Sequence, residues 1–140
     1  MAKKQFGGIG LGTFGSAVAK ELAAREFPVL AIDHKEEVVN RISSFVTQAI
    51  VADATDDIAL KDAGIADCDT VIISMGEDIE TSILATLIAK DLGVPNVIVK
   101  CTSMWHSKIA VKIGADKVIY PELEMAKKLG YHTFFWSLAY

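Results

Sequence analysis

The sequence predicts a three-layer α/β fold of the Rossmann type, with a six-stranded parallel sheet in the order 3-2-1-4-5-6 and a last helix after the sheet. Three observations lead there. Short apolar runs alternate with longer stretches of helical period along the chain, the pattern of repeated βαβ units. A glycine loop, Gly10-Leu11-Gly12-Thr13-Phe14-Gly15, stands between the first apolar run and the first helical stretch. An acid, Asp33, closes the second apolar run. The strand order then follows from right-handed crossovers on both sides of the first strand.

The elements can be justified in turn. Gln5 to Ile9 forms the first strand and feeds the glycine loop; Ala17, Val18, Leu22 and Ala23 recur at helical spacing after it. Pro28 precedes the second strand, Val29 to Asp33, and Val38, Val39 and Ile42 mark the second helix. Ala49 to Ala52 is the third strand. Asp53-Ala54-Thr55 turns the chain, with Thr55 as N-cap of a helix holding Ile58 and Leu60. Val71 to Ser74 is the fourth strand, broken by Gly76. The fourth helix runs from Ile79 to Leu92 and stops at Gly93. Val97 to Lys100 is the fifth strand, Met104 to Ile113 the fifth helix, ended by Gly114, and Lys117 to Ile119 the sixth strand. A helix from Glu122 carries the chain to its aromatic end, Phe134-Phe135-Trp136-Ser137-Leu138-Ala139-Tyr140. These elements use residues 1–140 as one domain, a size that suits a single core.

Composition narrows the function. Apolar residues make up 51% of the chain, which suits a sheet covered on both faces or an apolar surface kept for a partner. The net charge is -4 and the only basic pairs are Lys3-Lys4 and Lys127-Lys128, so nucleic acid is not expected as a ligand. Cys68 and Cys101 are far apart without CxxC spacing, as in a reduced, cytoplasmic protein. The chain opens almost directly into the glycine loop and has no apolar run of the ~18–20 residues that cross a bilayer.

The binding chemistry centres on the glycine loop. Gly10 permits a tight turn, Gly12 lets the backbone approach a pyrophosphate, and Gly15 lets the helix pack on the strand. The start of the following helix offers N–H groups and the positive end of its dipole to phosphate. Asp33 lies 23 residues after Gly10, where an acid takes ribose hydroxyls and repels a 2′-phosphate, favouring NAD or an adenosine nucleotide; the same acid also suits a helix start. Asp53, Ala54 and Thr55 end the third strand at the adenine edge, and Ser74, Met75 and Gly76 end the fourth on the same rim. Lys100 ends the fifth strand, either as a solvated residue or as a phosphate contact. His34 reads as exposed, and His106 as structural or exposed rather than a base. His132 has no evident partner. Trp105 and the closing aromatics read as core or as an interface with another subunit or domain.

The stretches Ile9 to Gly15, Asp53-Ala54-Thr55 and Ile113-Gly114-Ala115-Asp116-Lys117-Val118-Ile119-Tyr120-Pro121-Glu122 resemble the N-terminal RCK domain, also called KTN or TrkA-N, of potassium-uptake regulators of the Trk/Ktr type. The resemblance implies a cytoplasmic, non-catalytic gating subunit, peripheral to the membrane, that binds NAD(H) or ATP/ADP under a potassium channel or transporter. It implies homodimers that build a ring, commonly octameric, and a last helix, from about Glu124, that crosses between subunits. It places phosphates on Gly10 to Gly15, ribose on Asp33, adenine near Asp53, Ala54 and Thr55, and Lys100 on the phosphate side. It also implies a carboxylate at Glu122 near the terminal phosphate and a divalent cation. The chain departs from the family at three points. Many relatives carry Arg in place of Thr13, an Arg that can contact a terminal phosphate. Gly7-Gly8 replaces bulky strand residues and is expected to weaken the strand by roughly 0.5–1 kcal/mol per glycine. The sequence stops before the second, ligand-binding lobe that the resemblance implies for many full-length members.

Two other functions remain to be weighed. The glycine loop alone also suits the cofactor domain of an NAD-dependent oxidoreductase, but hydride transfer needs a substrate pocket and an acid or base at the nicotinamide, and the predicted elements leave no segment to build them. A redox-sensing DNA-binding regulator would need a helix-turn-helix segment or a basic face, and the sequence offers neither.

Overall fold

The computed structural model describes residues 4–139; Lys3 of the basic pair Lys3-Lys4 and Tyr140 of the aromatic end lie outside them. Six parallel strands are ordered β3-β2-β1-β4-β5-β6: β1 Phe6–Ile9, β2 Val29–Asp33, β3 Gln48–Val51, β4 Thr70–Ile73, β5 Asn96–Lys100 and β6 Lys117–Ile119. The helices are α1 Thr13–Ala24, α2 Glu36–Ile42, α3 Asp57–Ala63, α4 Ile79–Asp91, α5 Met104–Lys112 and α6 Pro121–Ala139. A 3₁₀ turn, Ile65–Asp67, leads into β4. The second and sixth strands fall where the sequence puts them, and the others shift by a residue. Among the described residues no helix is long and apolar enough to cross a membrane.

Two apolar clusters flank the sheet. On one face Ala19 of α1 and Val39 and Ile42 of α2 pack on Val29 and Ala31. On the other, Leu60, Ala85, Ala89 and Ala110 from α3, α4 and α5 pack on Ile9, Leu30, Ile32, Val71, Ile73, Val97 and Val99. The register sets Ile9 between Ile32 and Ile73, and Ile73 beside Val99. The next residues, Gly10, Asp33, Ser74 and Lys100, therefore stand one step further along, together on the carboxyl edge of the sheet. α6 follows β6 from that edge, and its residues 122–138 are exposed.

Three sequence features acquire a structural reason. A Cβ on Gly7 would meet Cys68 Sγ at 3.0 Å and Val71 and Ile65 at 3.2 and 3.3 Å, whereas one on Gly8 would meet nothing within 4 Å. Gly7 is thus small because the core closes on it, and Gly8 carries only the cost to the strand. The Gly-Ala-Asp run before β6 is a tie-point: Asp116 Oδ2 accepts from Val97 N–H (2.8 Å) and Lys90 Nζ (2.9 Å), and Lys90 also donates to Val94 O (3.1 Å). Those bonds, Val97 first, hold the Asp116 carboxyl below the usual carboxylate range and join α4, β5 and the turn into β6. Thr55 is not the N-cap of α3. Asp56 caps it by accepting from Ala59 N–H, while Thr55 donates from both its N–H and its hydroxyl to Asp53 Oδ1 (2.9 and 2.7 Å).

His106 is buried (1% exposed), so the exposed alternative is excluded. Its Nδ1 accepts from Thr102 N–H (3.2 Å), which leaves the ring proton on Nε2, 2.9 Å from Ser82 Oγ. Desolvation lowers its pKa from the ordinary 6.5. The unfolded chain then binds a proton that the folded one refuses, so stability is complete above about pH 6.5 and declines as the pH falls through and below that value. Thermal melts of wild type and His106→Asn from pH 7.5 to 5 should show a steeper loss in wild type.

Candidate functional site

The site begins where β1 ends. Gly10 has φ +93°, and a Cβ there would lie 2.1 Å from Ser74 O. A Cβ on Gly15 would lie 2.1 Å from Gly10 O. Both glycines are therefore required by the protein's own backbone. Gly12 differs: its φ is -69°, it is exposed, and a Cβ would meet nothing within 4 Å. It is also the N-cap residue of α1 and offers no side-chain cap, whereas α3, α4 and α5 are capped by Asp56, Asp78 and Ser103. The first N–H groups of α1 face the opening without a capping side chain.

Asp33 fixes the loop. Its Oδ2 accepts from Leu11 N–H (2.8 Å) and its Oδ1 from Lys35 N–H (2.9 Å), with His34 Nδ1 3.5 Å from Oδ1. Ser16 Oγ donates to Leu11 O (2.6 Å). Leu11 is thus pinned from both sides by residues that need not be near it in sequence. Asp33 acts as a loop brace, and a carboxylate with about four lone-pair sites keeps acceptor capacity for a hydroxyl.

A cleft of about 520 Å³ lies above this loop, walled by Gly10 to Thr13, Asp33 and Ser74 to Gly76. Its wall also carries His34, exposed as its sequence position suggests, and Lys20, Lys35 and Arg41, three basic residues that no sequence motif marks. A second cavity of about 220 Å³ adjoins it, lined by Asp33, Asp53, Ala54, Met75, Asp78 and Thr81 among others. Asp53 and Ala54 thus reach the rim as expected of that turn, while Thr55 stands behind Asp53. The Thr55 bonds also hold the Asp53 carboxyl below its usual range. Met75 and Asp33 line both spaces. Gly76, at φ +64°, turns the chain at the rim.

On the other side of the loop, Phe14, Lys100 and Glu122 meet in a groove of about 800 Å³ that Gly12, Thr13, Met125 and Leu129 also line. Lys100 Nζ lies 3.0 Å from Glu122 Oε1 and 5.4 Å from the centroid of the Phe14 ring. Among the described residues no group of three or more His, Cys, Asp or Glu is placed to hold a metal ion. A single carboxylate paired with an ammonium does not supply the oxygen shell of a divalent cation, so these residues alone do not fit one.

The remaining candidates sit elsewhere. The Ser82–His106 pair is no nucleophile–base dyad, because Nε2 carries the proton and both residues are buried. Trp105 is 69% exposed on α5, and Phe134, Phe135 and Trp136 are exposed on α6, so these aromatics belong to the surface rather than the core. Tyr131 packs on Phe135 (4.6 Å between centroids) and edge-on against His132 (5.8 Å). Cys68 and Cys101 are buried free thiols; burial pushes Cys68 up to about 11.

Comparison with known proteins places this geometry in context. A family model described as the TrkA-N domain matches residues 9–121. The chain is 42% identical over 130 residues to Ktr system potassium uptake protein C of Bacillus subtilis (strain 168), covering 93% of this chain and 59% of that protein. It is 47% identical over 122 residues to Ktr system potassium uptake protein A of Vibrio alginolyticus, covering 87% and 56%. It therefore spans less than three-fifths of the length of these curated relatives. The crystal structure of GsuK bound to ADP is similar with a TM-score of 0.74 at 25% identity, over 91% of this chain and 33% of that one.

Proposed function

This chain belongs to the TrkA-N domain family, and from that premise we propose that it is a nucleotide-binding regulatory domain of a potassium-uptake system. One observation carries the reading. Gly10 and Gly15 are glycines because the protein needs them, while a Cβ on Gly12 would meet only open space, between the cleft and the groove; its missing side chain serves an occupant that brings phosphate to the uncapped start of α1. Pyrophosphate then lies on Gly10 to Gly15, the ribose on Asp33, and the adenine toward Asp53, Ala54 and Met75. Ser74 and Gly76 form the rim, and Lys100 lies on the side of the further phosphate or nicotinamide. The ligand class is NAD(H) or ATP/ADP; ADP in the similar GsuK structure supports the adenosine nucleotides, and an acid at Asp33 supports NAD equally.

The domain needs no reaction of its own. A nucleotide that binds two arrangements of an assembly unequally shifts their populations by that difference alone. The names of the relatives, potassium uptake proteins, support a membrane potassium channel or transporter as partner, and so a place at the cytoplasmic face of the membrane. The exposed apolar residues of α6, from Leu123 to Leu138, support a homodimer built through that helix, and repetition of such dimers an octameric ring. A divalent cation beside Glu122 would need further oxygens, from phosphates or from a second copy.

Calorimetric titration with NADH, NAD, ATP and ADP tests the core of this proposal. At least one should bind, and Asp33→Ala should weaken it about tenfold or more by removing both the ribose acceptor and the brace on Leu11. Silence with all four ends the nucleotide reading. Failure to co-purify with any potassium-transport membrane subunit ends the partner claim.

A further inference from the structure

Lys100 is the place where the glycine loop, the sheet edge and α6 meet. Its side chain is only 12% exposed, yet its ammonium is charged and must be matched. The match is Glu122, 78% exposed, in the first turn of α6. The face of Phe14, inside the glycine loop, lies 5.4 Å away. Among the described residues this is the one ion pair that joins α6 to the sheet. Residues 122–138 of α6 are exposed in the single chain, so within one chain the start of the helix is held by few contacts.

The same groove takes in Gly12 and Thr13, where the nucleotide reading puts phosphate. A phosphate there and the Glu122 carboxylate would approach one ammonium together. A Lys head is a compact point charge, and the two anions repel each other at such range. We propose that Lys100 is a latch shared in competition between Glu122 and the nucleotide phosphate: with the loop empty it holds down the first turn of α6, and an arriving phosphate draws it away and frees the helix. The inference rests on the nucleotide reading and adds its regulation. Occupancy of the loop is thereby passed to α6 through one residue, with no movement required of the sheet.

Calorimetry with ADP and with NADH, in buffer containing EDTA, tests the latch on wild type, Glu122→Gln, Lys100→Met and the double variant. In Glu122→Gln the ammonium has no carboxylate to leave, so binding tightens about three- to fivefold, the strength of a partly screened ion pair. Lys100→Met binds more weakly than wild type, and adding Glu122→Gln to it brings no gain. Amide hydrogen exchange over residues 122–130 gives a second readout: nucleotide speeds it in wild type and leaves it unchanged in Glu122→Gln. Equal or weaker binding by Glu122→Gln in EDTA overturns the latch, as does a gain that persists without Lys100. A loss confined to magnesium buffer, with no gain in EDTA, would give Glu122 to a metal and overturn it too. If wild type binds neither these two nor ATP nor NAD, the nucleotide reading itself has failed, a result distinct from binding that ignores Glu122.

Discussion

Gly12→Asp is expected to abolish nucleotide binding and to leave the fold as stable as before. The position separates the two properties. Its backbone, at φ -69° and ψ -163°, is open to any residue, and a Cβ there meets no protein atom within 4 Å. As N-cap of α1 it now offers no side chain; Asp is among the best capping residues, and the gain over Gly is a few tenths of a kcal/mol. The same carboxylate would stand where phosphate must approach. Two unit charges 4 Å apart repel by about 4 kcal/mol at the effective dielectric of a protein surface, which is ample for a loss of a hundredfold or more. Calorimetry and a thermal melt on the same sample decide the matter. Affinity within tenfold of wild type would take phosphate away from Gly12, and a collapsed melt would mean that the position serves the fold after all.

The contrast with its neighbours shows how far the sequence could be read. Spacing names Gly10, Gly12 and Gly15 as a set, but it cannot say which glycine answers to the protein and which to a ligand; only the 2.1 Å approaches to Ser74 O and Gly10 O do that. Strand order was legible because alternation of elements and handed crossovers leave few topologies. The N-cap of α3 was not, because Thr55, Asp56 and Asp57 are all capping types, and the choice falls to Asp56 once Thr55 is spent on Asp53. The basic wall of Lys20, Lys35 and Arg41 had no local sign: each looks like a solvated helix residue until α1 and α2 converge on one cleft. Lys100 and Glu122 were both singled out, yet their pairing across 22 residues belongs to the tertiary fold. Asp116 likewise stood in a signature whose cause, the tie to Lys90 and Val97, is visible only in space.

Gly15→Ala should have the opposite effect to Gly12→Asp, a heavy loss of stability. The added methyl would sit 2.1 Å from the carbonyl oxygen of Gly10 and 3.1 Å from its carbon. The clash is with the backbone of Gly10 and not with the end of a flexible side chain that could swing away, so α1 must lift from β1. That lift would strain the bonds Gly10 makes to Ile32 O (2.9 Å) and Ser74 to Ile9 O (2.8 Å), which hold the loop to both neighbouring strands. Overpacking of this kind costs about 3 kcal/mol, a large share of the ~5–15 kcal/mol that such a domain has, and lowers the thermal midpoint by about 10 °C. Gly10→Ala should cost more, since the same 2.1 Å clash, here with Ser74 O, is joined by a φ of +93° that a side chain disfavours. Chemical denaturation of the two variants beside Gly12→Asp gives the ordering directly. Equal stability of all three would mean that the loop relaxes freely, and would remove the distinction between protein-serving and ligand-serving glycines on which the assignment of the site depends.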